Sequence, residues 1–375
     1  MTQNYFIIAG EPSADTHGAS LMKEMLSINS DINFAGIGGH NMKALGQDQL
    51  FSSDQMAIMG FTEVIRHLKF LKNAKKTVVK HIISNPPDKI ILIDYPGFNL
   101  RLAKELKKIS NIPIIYYISP QIWAWKENRI KTIKKYVDKM IVILPFEKDW
   151  YRERGLEVEY VGHPILDQYV PAKREVIANE LSIDQKKPIL TLFPGSRKQE
   201  LHRHLKLFLD SALLVKKEIS DLQIILGLAK EFDLNEISQN YDLSNIKIEQ
   251  KNPISALEIA DVAIVASGTS TLEAAVYETP SVIVYKLSTI SWLISKLIVK
   301  VPFAGLVNLI ANKEVFPELL QDNATTENIS KSVSKILLDE DYRNSLAEEI
   351  QNVKTALGGS GASNRVAQLI MYNEN

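Results

Sequence analysis

The chain has 375 residues, and 45% of them are apolar, which is enough to build the cores of two domains. Basic and acidic residues both number 44, so the formal net charge is zero and a general electrostatic attraction to nucleic acid is not expected. There is no cysteine, which excludes disulfides, thiolate metal sites and a cysteine nucleophile and fits a reducing compartment.

The N-terminal segment predicts a buried strand rather than a targeting signal. Its first four residues carry no basic side chain, and the apolar run Tyr5–Gly10 is too short for a signal peptide. The most apolar later stretch, Trp292–Ala311, is interrupted by two lysines and a proline. It falls short of the roughly 18 uninterrupted apolar residues of a membrane span, so we expect no transmembrane helix.

The first half of the chain alternates short apolar runs with amphipathic segments of helical period. Such alternation predicts a doubly wound α/β domain with a parallel sheet. The predicted strands are Tyr5–Ala9, Asn33–Ile37, Lys89–Ile93, Ile112–Ile118 and Lys139–Leu144. The predicted helices are Gly18–Ser27, Phe61–Ser84, Leu100–Ser110 and Arg129–Tyr136.

A polar, proline-containing stretch at residues 164–187 indicates a change of domain. We place the boundary near residue 168, which gives a first domain over 1–167 and a second over 168–357. The C-terminal segment 358–375 begins with a flexible glycine-rich run, and its short helix is a candidate for completing the first domain. The second domain is also predicted to be α/β, with strands Ile189–Phe193, Leu222–Leu226, Ile246–Glu249, Val262–Val265 and Ser281–Val284 and helices Leu201–Ile219, Glu327–Leu338 and Asp341–Leu357.

Two glycine turns in the second domain carry the clearest functional signal. Phe193–Arg197 and Ala266–Glu273 each follow an apolar strand and open a helix. A helix N-terminus with free backbone N–H groups and small side chains binds anions, and two of them in one domain suggest a diphosphate. We therefore expect the chain to bind a nucleotide or a nucleotide-sugar.

The charged residues in these turns have two interpretations each. Arg197 can grip a diphosphate with its guanidinium, or it can be a solvated arginine at the start of a helix. Glu273 can accept hydrogen bonds from both ribose hydroxyls, or it can close a capping box with Ser270. The sequence leaves both pairs of interpretations open.

Asp94 is the candidate catalytic base. It follows the predicted strand Lys89–Ile93 and precedes the turn Tyr95–Asn99. A carboxylate at the carboxyl end of a buried strand lies where ligands bind in such sheets. Burial there raises a carboxylate pKa and suits the group to take a proton from a hydroxyl nucleophile. The alternative is a turn-forming aspartate bonded to nearby backbone.

The remaining motifs are weaker. The turn Gly10–Gly18 lacks the Gly-Lys-Ser/Thr ending of a P-loop, which disfavours ATP hydrolysis. His202 and His204 are two residues apart on a predicted helix and point to different sides, so we expect no metal site. Basic amphipathic stretches at Phe61–Lys80 and Trp292–Val301 suit contact with anionic lipid, although packed helices with a solvated lysine face have the same pattern.

These motifs resemble those of the lipid-A-disaccharide synthase family. The resemblance runs in family order from residue 9 to about residue 320, and its most specific part is the Ser-Pro-x-x-Trp-Ala-Trp block. The matching stretches are Ala9–Asp15, Met59–Val64, Ile93–Asn99, Tyr117–Trp125, Leu144–Glu147, Val161–Pro164, Phe193–Arg197, Ser267–Thr269 and Leu306–Leu309.

The resemblance implies a GT-B architecture, in which two Rossmann-like domains face each other across a cleft, and an inverting glycosyl transfer. In the implied reaction, UDP-2,3-diacylglucosamine condenses with 2,3-diacylglucosamine 1-phosphate to form the β-1,6-linked lipid A disaccharide 1-phosphate and UDP. No cofactor and no metal are implied. The family's proposed base matches Asp94, and Arg197 would stabilise the departing diphosphate. UDP contacts carry over to Gly195, Ser196, Arg197, Ser267, Gly268, Thr269, Glu273 and Asn308, and sugar or acceptor contacts to Glu11, Ser13 and Asp15.

The resemblance also implies partners. It assigns the acceptor and its lipid chains to the first domain and the UDP-sugar to the second, with Trp123 and Trp125 shaping the wall between the domains. Because acyl chains need an apolar exit, we expect a cytoplasmic protein that associates peripherally with the inner face of the inner membrane. The family further hints at a homodimer in which the C-terminal segment crosses to the partner.

Two positions depart from the family pattern. Many family members carry a second aspartate where this chain has Gly97, so an account with two carboxylates does not apply here. The first loop reads Ser13-Ala14-Asp15, where Ser-Gly-Asp is common. Neither change removes the candidate base. The alternatives are a UDP-N-acetylglucosamine 2-epimerase or another GT-B UDP-sugar enzyme, and a non-catalytic sugar-nucleotide-binding protein.

Overall fold

The chain forms two compact α/β units in the computed structural model, which describes residues 2–56 and 64–372. Unit 1 consists of Met1–Asp167 together with Leu357–Asn375, and unit 2 consists of Gln168–Ala356. The family motif at residues 59–63 lies outside the described residues. Among the helices that are described, none has both the length and the apolar character needed to cross a membrane.

Unit 1 contains a parallel sheet of seven strands. The strands are β1 Gln3–Ala9, β2 Ile32–Gly38, β3 Asp48–Ser52, β4 Lys89–Ile93, β5 Ile114–Tyr117, β6 Lys139–Val142 and β7 Glu159–Tyr160. Their spatial order is β3-β2-β1-β4-β5-β6-β7, with every neighbouring pair parallel. The sheet therefore reverses its direction of growth between β1 and β4.

Helices cover both faces of this sheet. Phe6 and Ile8 of β1 share one core cluster with Val78 of α4 and Leu102 of α5. Ile7, which points to the other face, is also fully buried, so β1 is covered on both sides, as its unbroken apolar run predicts. The helices are α1 Pro12–Ile28, α2 His40–Ala44, α3 Ser53–Met56, α4 Val64–Ser84, α5 Pro96–Leu106, α6 Ile130–Tyr136 and α7 Pro145–Glu153, with 3₁₀ helices at Glu127–Arg129 and Pro164–Asp167.

Unit 2 repeats this architecture with six parallel strands. The strands are β8 Ile189–Phe193, β9 Gln223–Gly227, β10 Ile246–Glu249, β11 Val262–Ala266, β12 Ser281–Tyr285 and β13 Glu318–Leu320, in the spatial order β10-β9-β8-β11-β12-β13. The helices are α8 Arg174–Leu181, α9 Lys198–Glu218, α10 Leu234–Asn240, α11 Ser255–Ile259, α12 Thr269–Val276, α13 Thr289–Ile298, α14 Leu306–Ala311, α15 Thr326–Leu338 and α16 Glu340–Ala356, with a 3₁₀ helix at Gln321–Asn323.

The last helix, α17 Ala362–Met371, packs on α1 and so belongs to unit 1. Its N-terminus is capped from outside the helix, because the Asp167 carboxylate accepts hydrogen bonds from the backbone N–H groups of Gly361, Ala362 and Ser363 at 2.6, 3.0 and 2.8 Å. The glycine-rich run before α17, which the sequence describes as flexible, is thus held by a charged group of the same unit.

Both sheets have the strand order of the Rossmann fold, so the predicted fold class of two doubly wound α/β domains is confirmed. In such sheets, ligands bind at the carboxyl ends of the two central strands, where the strand order reverses. That point lies between β1 and β4 in unit 1 and between β8 and β11 in unit 2. Functional residues are therefore expected at these two edges.

Candidate functional site

In unit 1 the reversal point brings together the loops after β1 and β4. The two strands pair in parallel up to Ala9 and Ile93, so Gly10 and Asp94 leave the sheet side by side. Gly10 allows a close approach, because a Cβ added there would lie 2.5 Å from the ring of Tyr95. The sequence-predicted base thus lies at the edge where a ligand is expected.

Asp94 is held there by its backbone. Asp94 and Tyr95 both have positive φ values, 44° and 47°, which non-glycine residues adopt rarely. The Asp94 carbonyl accepts hydrogen bonds from Asn99 Nδ2 at 2.8 Å and from the Tyr116 hydroxyl at 2.5 Å, and the Tyr95 hydroxyl donates to the Met56 carbonyl at 2.8 Å. These bonds fix the turn through main-chain oxygens and leave the Asp94 carboxylate out of them.

The surroundings of Asp94 favour its protonated form. Burial and, to a smaller extent, the negative charge of Glu11 raise the pKa of this carboxyl to about 6, against the opposing effect of the hydrogen bond from the Tyr95 backbone N–H. A pKa near neutrality is what a general base needs, because the group must be ionised at working pH and still accept a proton. The electrostatics of this edge therefore suit proton transfer.

The first loop contributes three predicted site residues, and they differ in exposure. Glu11 is partly exposed and precedes α1, and Ser13 is exposed in the first turn of that helix. Asp15 is buried, and its carboxylate accepts hydrogen bonds from three backbone N–H groups at the start of α2. The bonds to Gly39, Asn41 and Met42 measure 2.6, 3.0 and 3.1 Å, so Asp15 ties α1 to α2.

In unit 2 the reversal point brings together the two glycine turns. Strands β8 and β11 pair in parallel up to Phe193 and Val265, so the turns after them are neighbours at one edge. Gly195 and Gly268 have φ values of +113° and +143°, conformations that side chains disfavour. The sequence pattern predicted two turns that act together, and the sheet places them next to each other.

The first turn is occupied by a residue that sequence reasoning did not name. The Glu200 carboxylate accepts hydrogen bonds from the backbone N–H groups of Ser196 and Arg197 at 3.2 and 3.3 Å. The Arg197 side chain is 79% exposed, and its Nη1 lies 3.5 Å from Glu200 Oε1. This exposure agrees with the interpretation of Arg197 as a solvated arginine at the start of a helix. The signal for this cap in the sequence is the glutamate at the third position of α9, from which a carboxylate can accept the backbone N–H of the residue before the helix.

In the second turn, Glu273 makes no capping hydrogen bond. Gly268 is the N-cap of α12, and the Ser270 hydroxyl donates to the Ala266 carbonyl at 2.7 Å, so the predicted capping box of Ser270 and Glu273 does not form. Within the described part of the chain, the Glu273 carboxylate has no hydrogen-bond or ion-pair partner. Burial raises its pKa to about 7. Gly268 and Thr269 are exposed beside it.

The side-chain amide of Asn308 is hydrogen-bonded within the chain and supports the second glycine turn. Its Nδ2 donates to Phe316 O and to Glu318 Oε1 at 2.8 and 2.9 Å, and its Oδ1 accepts from the N–H groups of Val315 and Phe316. All its hydrogen-bonding positions are therefore used within the chain.

Glu318, which accepts a hydrogen bond from Asn308, connects Asn308 to the second glycine turn. The Glu318 carboxylate also accepts the N–H groups of Ala304 and Gly305, each at 2.8 Å. Ser267 in turn donates its hydroxyl to the Ala304 carbonyl at 2.9 Å. Asn308 and Glu318 thereby hold the segment on which Ser267 rests.

His204 joins the first turn to the end of β12. Its Nε2 accepts the Lys286 N–H at 3.0 Å, so the neutral ring carries its proton on Nδ1, which bonds to the Pro194 carbonyl at 3.0 Å. Burial lowers the pKa of His204, which preserves this neutral form. The sequence analysis considered His204 only as a metal ligand. Its two hydrogen-bond partners lie 10 and 82 residues away along the chain, so the local sequence pattern does not reveal them.

The aromatic block after β5 belongs to the interior of unit 1. Trp123 is buried, stacks edge to face on Phe146, and donates its indole N–H to Glu147 at 3.0 Å. The Glu147 carboxylate also accepts the Leu144 N–H at the start of α7 at 3.0 Å. Trp125 is exposed, with the Lys126 ammonium 4.1 Å from its ring centre. Trp123 therefore contributes to packing within its own unit.

Comparison with known proteins adds a consistent result. A model of the family described as lipid-A-disaccharide synthetase matches residues 5–370. Proteins named lipid-A-disaccharide synthase from Coxiella burnetii and Trichlorobacter lovleyi are 37% and 39% identical to the chain, and the alignments cover 98% and 97% of it and 98% and 96% of the relatives.

Solved structures show the same fold at low sequence identity. A putative UDP-N-acetylglucosamine 2-epimerase from Listeria monocytogenes has a TM-score of 0.66 at 10% identity, with 98% of this chain and 95% of that chain covered. The calicheamicin glycosyltransferase CalG4 has a TM-score of 0.61 at 14% identity, with both chains covered completely.

Proposed function

Because the chain belongs to the lipid-A-disaccharide synthase family, we propose that it is an inverting glycosyltransferase of lipid A biosynthesis. It condenses UDP-2,3-diacylglucosamine with 2,3-diacylglucosamine 1-phosphate and releases the β-1,6-linked disaccharide 1-phosphate and UDP. The match over 5–370, at 36–39% identity to several relatives, favours this reaction over that of the epimerases, which are similar in fold alone.

Asp94 acts as the general base in this proposal. It takes the proton from the 6-hydroxyl of the acceptor as the oxygen attacks the anomeric carbon of the donor and the bond to UDP breaks. The observation that carries this assignment is a carboxylate with a pKa raised to about 6, placed at the strand-order reversal of unit 1. Glu11 and Ser13, on the neighbouring loop, are assigned to the acceptor sugar.

The glycine turns of unit 2 hold the donor. Backbone N–H groups at Gly195, Ser196 and Gly268 and the guanidinium of Arg197 bind the diphosphate and stabilise its charge as it leaves. Ser267 and Thr269 add hydroxyls to this contact, and Glu273, which no capping bond engages, accepts the ribose hydroxyls.

The cap on the first turn must move for this binding. A diphosphate at this turn would use the N–H groups of Ser196 and Arg197, which the Glu200 carboxylate accepts in this structure. Two anions cannot share those donors, so Glu200 turns away when the donor binds.

Asn308 and Asp15, which the sequence predicted as ligand contacts, are assigned to positioning other residues of the site. Asn308 has all its hydrogen-bonding positions engaged and acts through Glu318 and the Ala304 segment on Ser267. Asp15 acts by fixing the first loop against α2. Gly97, at the position of the family's second aspartate, lies in open space, because a Cβ added there meets no atom within 4 Å. We assign no second carboxylate to the reaction.

We also propose that the enzyme works at a membrane surface, since both substrates carry acyl chains. Its location on the cytoplasmic side of the inner membrane follows from the family reaction and stays a prediction. A homodimer also stays a prediction of the family resemblance.

The reaction is tested by incubating the chain with both substrates in detergent and following disaccharide and UDP by mass spectrometry. Asp94→Asn is expected to retain UDP binding and to lose about 10²–10⁴-fold in turnover, the usual contribution of general-base catalysis. The matched control is Asp31→Asn, a change at an exposed aspartate of the same unit, which should leave both quantities unchanged.

Two results contradict the proposal. One is the absence of disaccharide and UDP from the wild-type reaction under several detergent conditions. The other is conversion of the donor without any acceptor, which would indicate epimerase chemistry. An Asp94→Asn variant with unchanged turnover would leave the reaction standing and remove Asp94 as its base.

A further inference from the structure

Helix α13 presents its apolar side to the solvent. Ile290, Leu293, Ile294, Leu297 and Ile298 occupy positions i, i+3, i+4, i+7 and i+8, which form one stripe of an α-helix. Their exposed fractions range from 44% for Ile298 to 86% for Leu297, and no residue of α13 is buried. In a surface helix of a soluble domain, such a stripe normally faces the core.

The opposite side of α13 is the one nearer to the protein. Trp292 and Ser295 are the least exposed residues of the helix, and the Lys296 ammonium lies 5.1 Å from the centre of the Trp292 ring. The Ser288 hydroxyl accepts the Ser291 N–H at 3.2 Å and caps the helix. The helix is thus well formed, but its apolar side faces the solvent, whereas in a packed surface helix that side faces the core.

The chain segment that contains this stripe carries charges of one sign. From Thr279 to Lys313 the chain contains four lysines and no acidic residue. Two of the lysines, Lys296 and Lys300, lie in α13 or directly after it. An apolar stripe bordered by lysines has the composition of helices that lie in the interface of an anionic bilayer.

Helix α13 lies close to the proposed donor site. It follows β12, which pairs with β11, and the Lys286 N–H just before it bonds to His204 beside the first glycine turn. After α13, Ala304 accepts the Ser267 hydroxyl of the second turn. Both ends of the α13 segment are therefore anchored to residues that support the glycine turns.

We propose that α13 is an interfacial helix that inserts the stripe Ile290–Ile298 into an anionic bilayer and places the donor site of unit 2 at the lipid surface. The inference deepens the proposed function, since it names the element that meets the membrane from which acylated substrates come. The other basic stretch of the sequence continues into α4, which buries Ala74, Val78 and Ile82 in the core of unit 1 and leaves the Leu68 side chain 54% exposed.

The charges favour a bilayer over a second copy of the chain. Two copies that paired through this stripe in a symmetric contact would bring their lysines together, which is unfavourable, whereas anionic headgroups meet the same lysines with opposite charge. The helix is also amphipathic and short, which suits a position parallel to the membrane plane.

The absence of cysteine allows a direct test with single labelled cysteines in the full chain. Leu297→Cys carries an environment-sensitive fluorophore on the stripe. Leu338→Cys, at an exposed leucine of α15 in the same unit, is the matched control. With vesicles of phosphatidylcholine and phosphatidylglycerol and no substrate, the label at 297 should shift to shorter wavelength and be quenched by a lipid-borne quencher. The label at 338 should not respond.

A second measurement uses unlabelled variants in vesicle flotation. Ile290→Ser combined with Leu297→Ser should weaken vesicle binding at least about tenfold, since two large apolar side chains leave the bilayer. Leu338→Ser should bind as the wild type does. Turnover on substrates dispersed in detergent should remain for all three proteins, which separates a failure of this inference from a failure of the proposed reaction.

Three outcomes overturn the inference. A blue shift at 297 that needs substrate but no vesicle would assign the stripe to acyl chains. A shift that depends on protein concentration without lipid would assign it to a second copy. Unchanged flotation of the double serine variant would show that another surface binds the bilayer.

Discussion

The turn Asp94-Tyr95 shows how a strained backbone is retained at one position. Two consecutive non-glycine residues with positive φ are unfavourable by roughly 1–3 kcal/mol each. Hydrogen bonds from Asn99 and Tyr116 to the Asp94 carbonyl, and the bond from Tyr95 to Met56, offset this strain. The result is a carboxylate held at the edge of the sheet and close to the charge of Glu11.

The first prediction concerns the pH dependence of turnover. Because the base must be ionised and its pKa is about 6, kcat/KM should fall as the pH decreases through about 6. Glu11→Gln removes a negative charge that raises this pKa, so the acidic limb of the profile should move to lower pH. The profile is measured with both proteins over pH 4.5–8.5. An unmoved limb in Glu11→Gln would rule out this coupling.

The second prediction compares two glycines of the same unit. A Cβ at Gly10 would lie 2.5 Å from the Tyr95 ring, whereas a Cβ at Gly97 meets nothing within 4 Å. Gly10→Ala must therefore displace Tyr95 and, with it, Asp94, and we expect kcat to fall at least about tenfold, because small misplacements of a catalytic group are costly. Gly97→Ala should retain kcat. UDP affinity, measured by calorimetry, should stay the same in both, and equal kcat values would contradict the argument.

Single residues differ in how far their roles can be predicted from sequence. Asp94 and the glycine turns stand directly after apolar strands, so their place at the sheet edge follows from the local pattern. The partners of Asp15, Asn308 and His204 include residues far along the chain, and only the assembled fold shows that these side chains are already engaged. Glu200 lay within reach of sequence reasoning, through its spacing from Arg197.

Two helices of unit 1 have N-termini that are capped by carboxylates from other elements. Asp15 caps α2, and Asp167 caps α17, each with three backbone N–H groups. A negative charge there satisfies donors that have no partner inside the helix and is favoured by the helix dipole. Such caps fix the position of one element relative to another, beyond stabilising the helix itself.

The third prediction tests the cap of α17. Asp167→Ala leaves three N–H groups without their acceptor, so the free energy of unfolding should fall by about 1–2 kcal/mol. Asp31→Ala removes an exposed carboxylate of the same unit and should change it by less than about 0.5 kcal/mol. Urea unfolding measures both. A loss for Asp167→Ala no larger than that of the control would mean that the cap does not stabilise unit 1.

Central and edge strands differ in how well the sequence predicts them. Strands β1, β4, β8 and β11 are continuous apolar runs, buried on both faces, and were predicted within two residues of their observed ends. Strands β3, β7 and β13 were not predicted. They lie at or next to sheet edges, are short or rich in polar residues, and form because a neighbouring strand offers its backbone.

At the scale of the whole molecule, the same strand order occurs twice. Strand–helix alternation predicted two doubly wound domains, because parallel strands need helical crossovers. Strand order itself depends on pairing between distant segments, which local periodicity does not encode. The assignment of α17 to unit 1 likewise depends on packing against α1, more than 300 residues away in sequence.

The fourth prediction concerns the stability of the molecule in acid. Burial lowers the pKa of His17 to about 4 and that of His163 to about 3, and both histidines belong to unit 1. An unfolded chain binds these protons more readily, so the stabilisation is complete above about pH 6.5 and is lost as the pH falls towards 4. His17 alone should contribute a loss of about 2 kcal/mol between pH 7.5 and 4.5.

The measurement is urea unfolding followed by tryptophan fluorescence, since three of the four tryptophans lie in unit 1. His17→Gln should lose less stability in acid than the wild type. His202→Gln, at an exposed histidine, should follow the wild type. An identical pH dependence in His17→Gln and the wild type would show that His17 does not carry this effect.

The return of α17 to α1 has a consequence for biosynthesis. During translation, the segment that covers α1 leaves the ribosome only after all of unit 2 has been made, so unit 1 stays incomplete while unit 2 can already fold. A chain that is truncated before residue 362 and released from the ribosome should therefore hold a protease-sensitive N-terminal half beside a resistant later half.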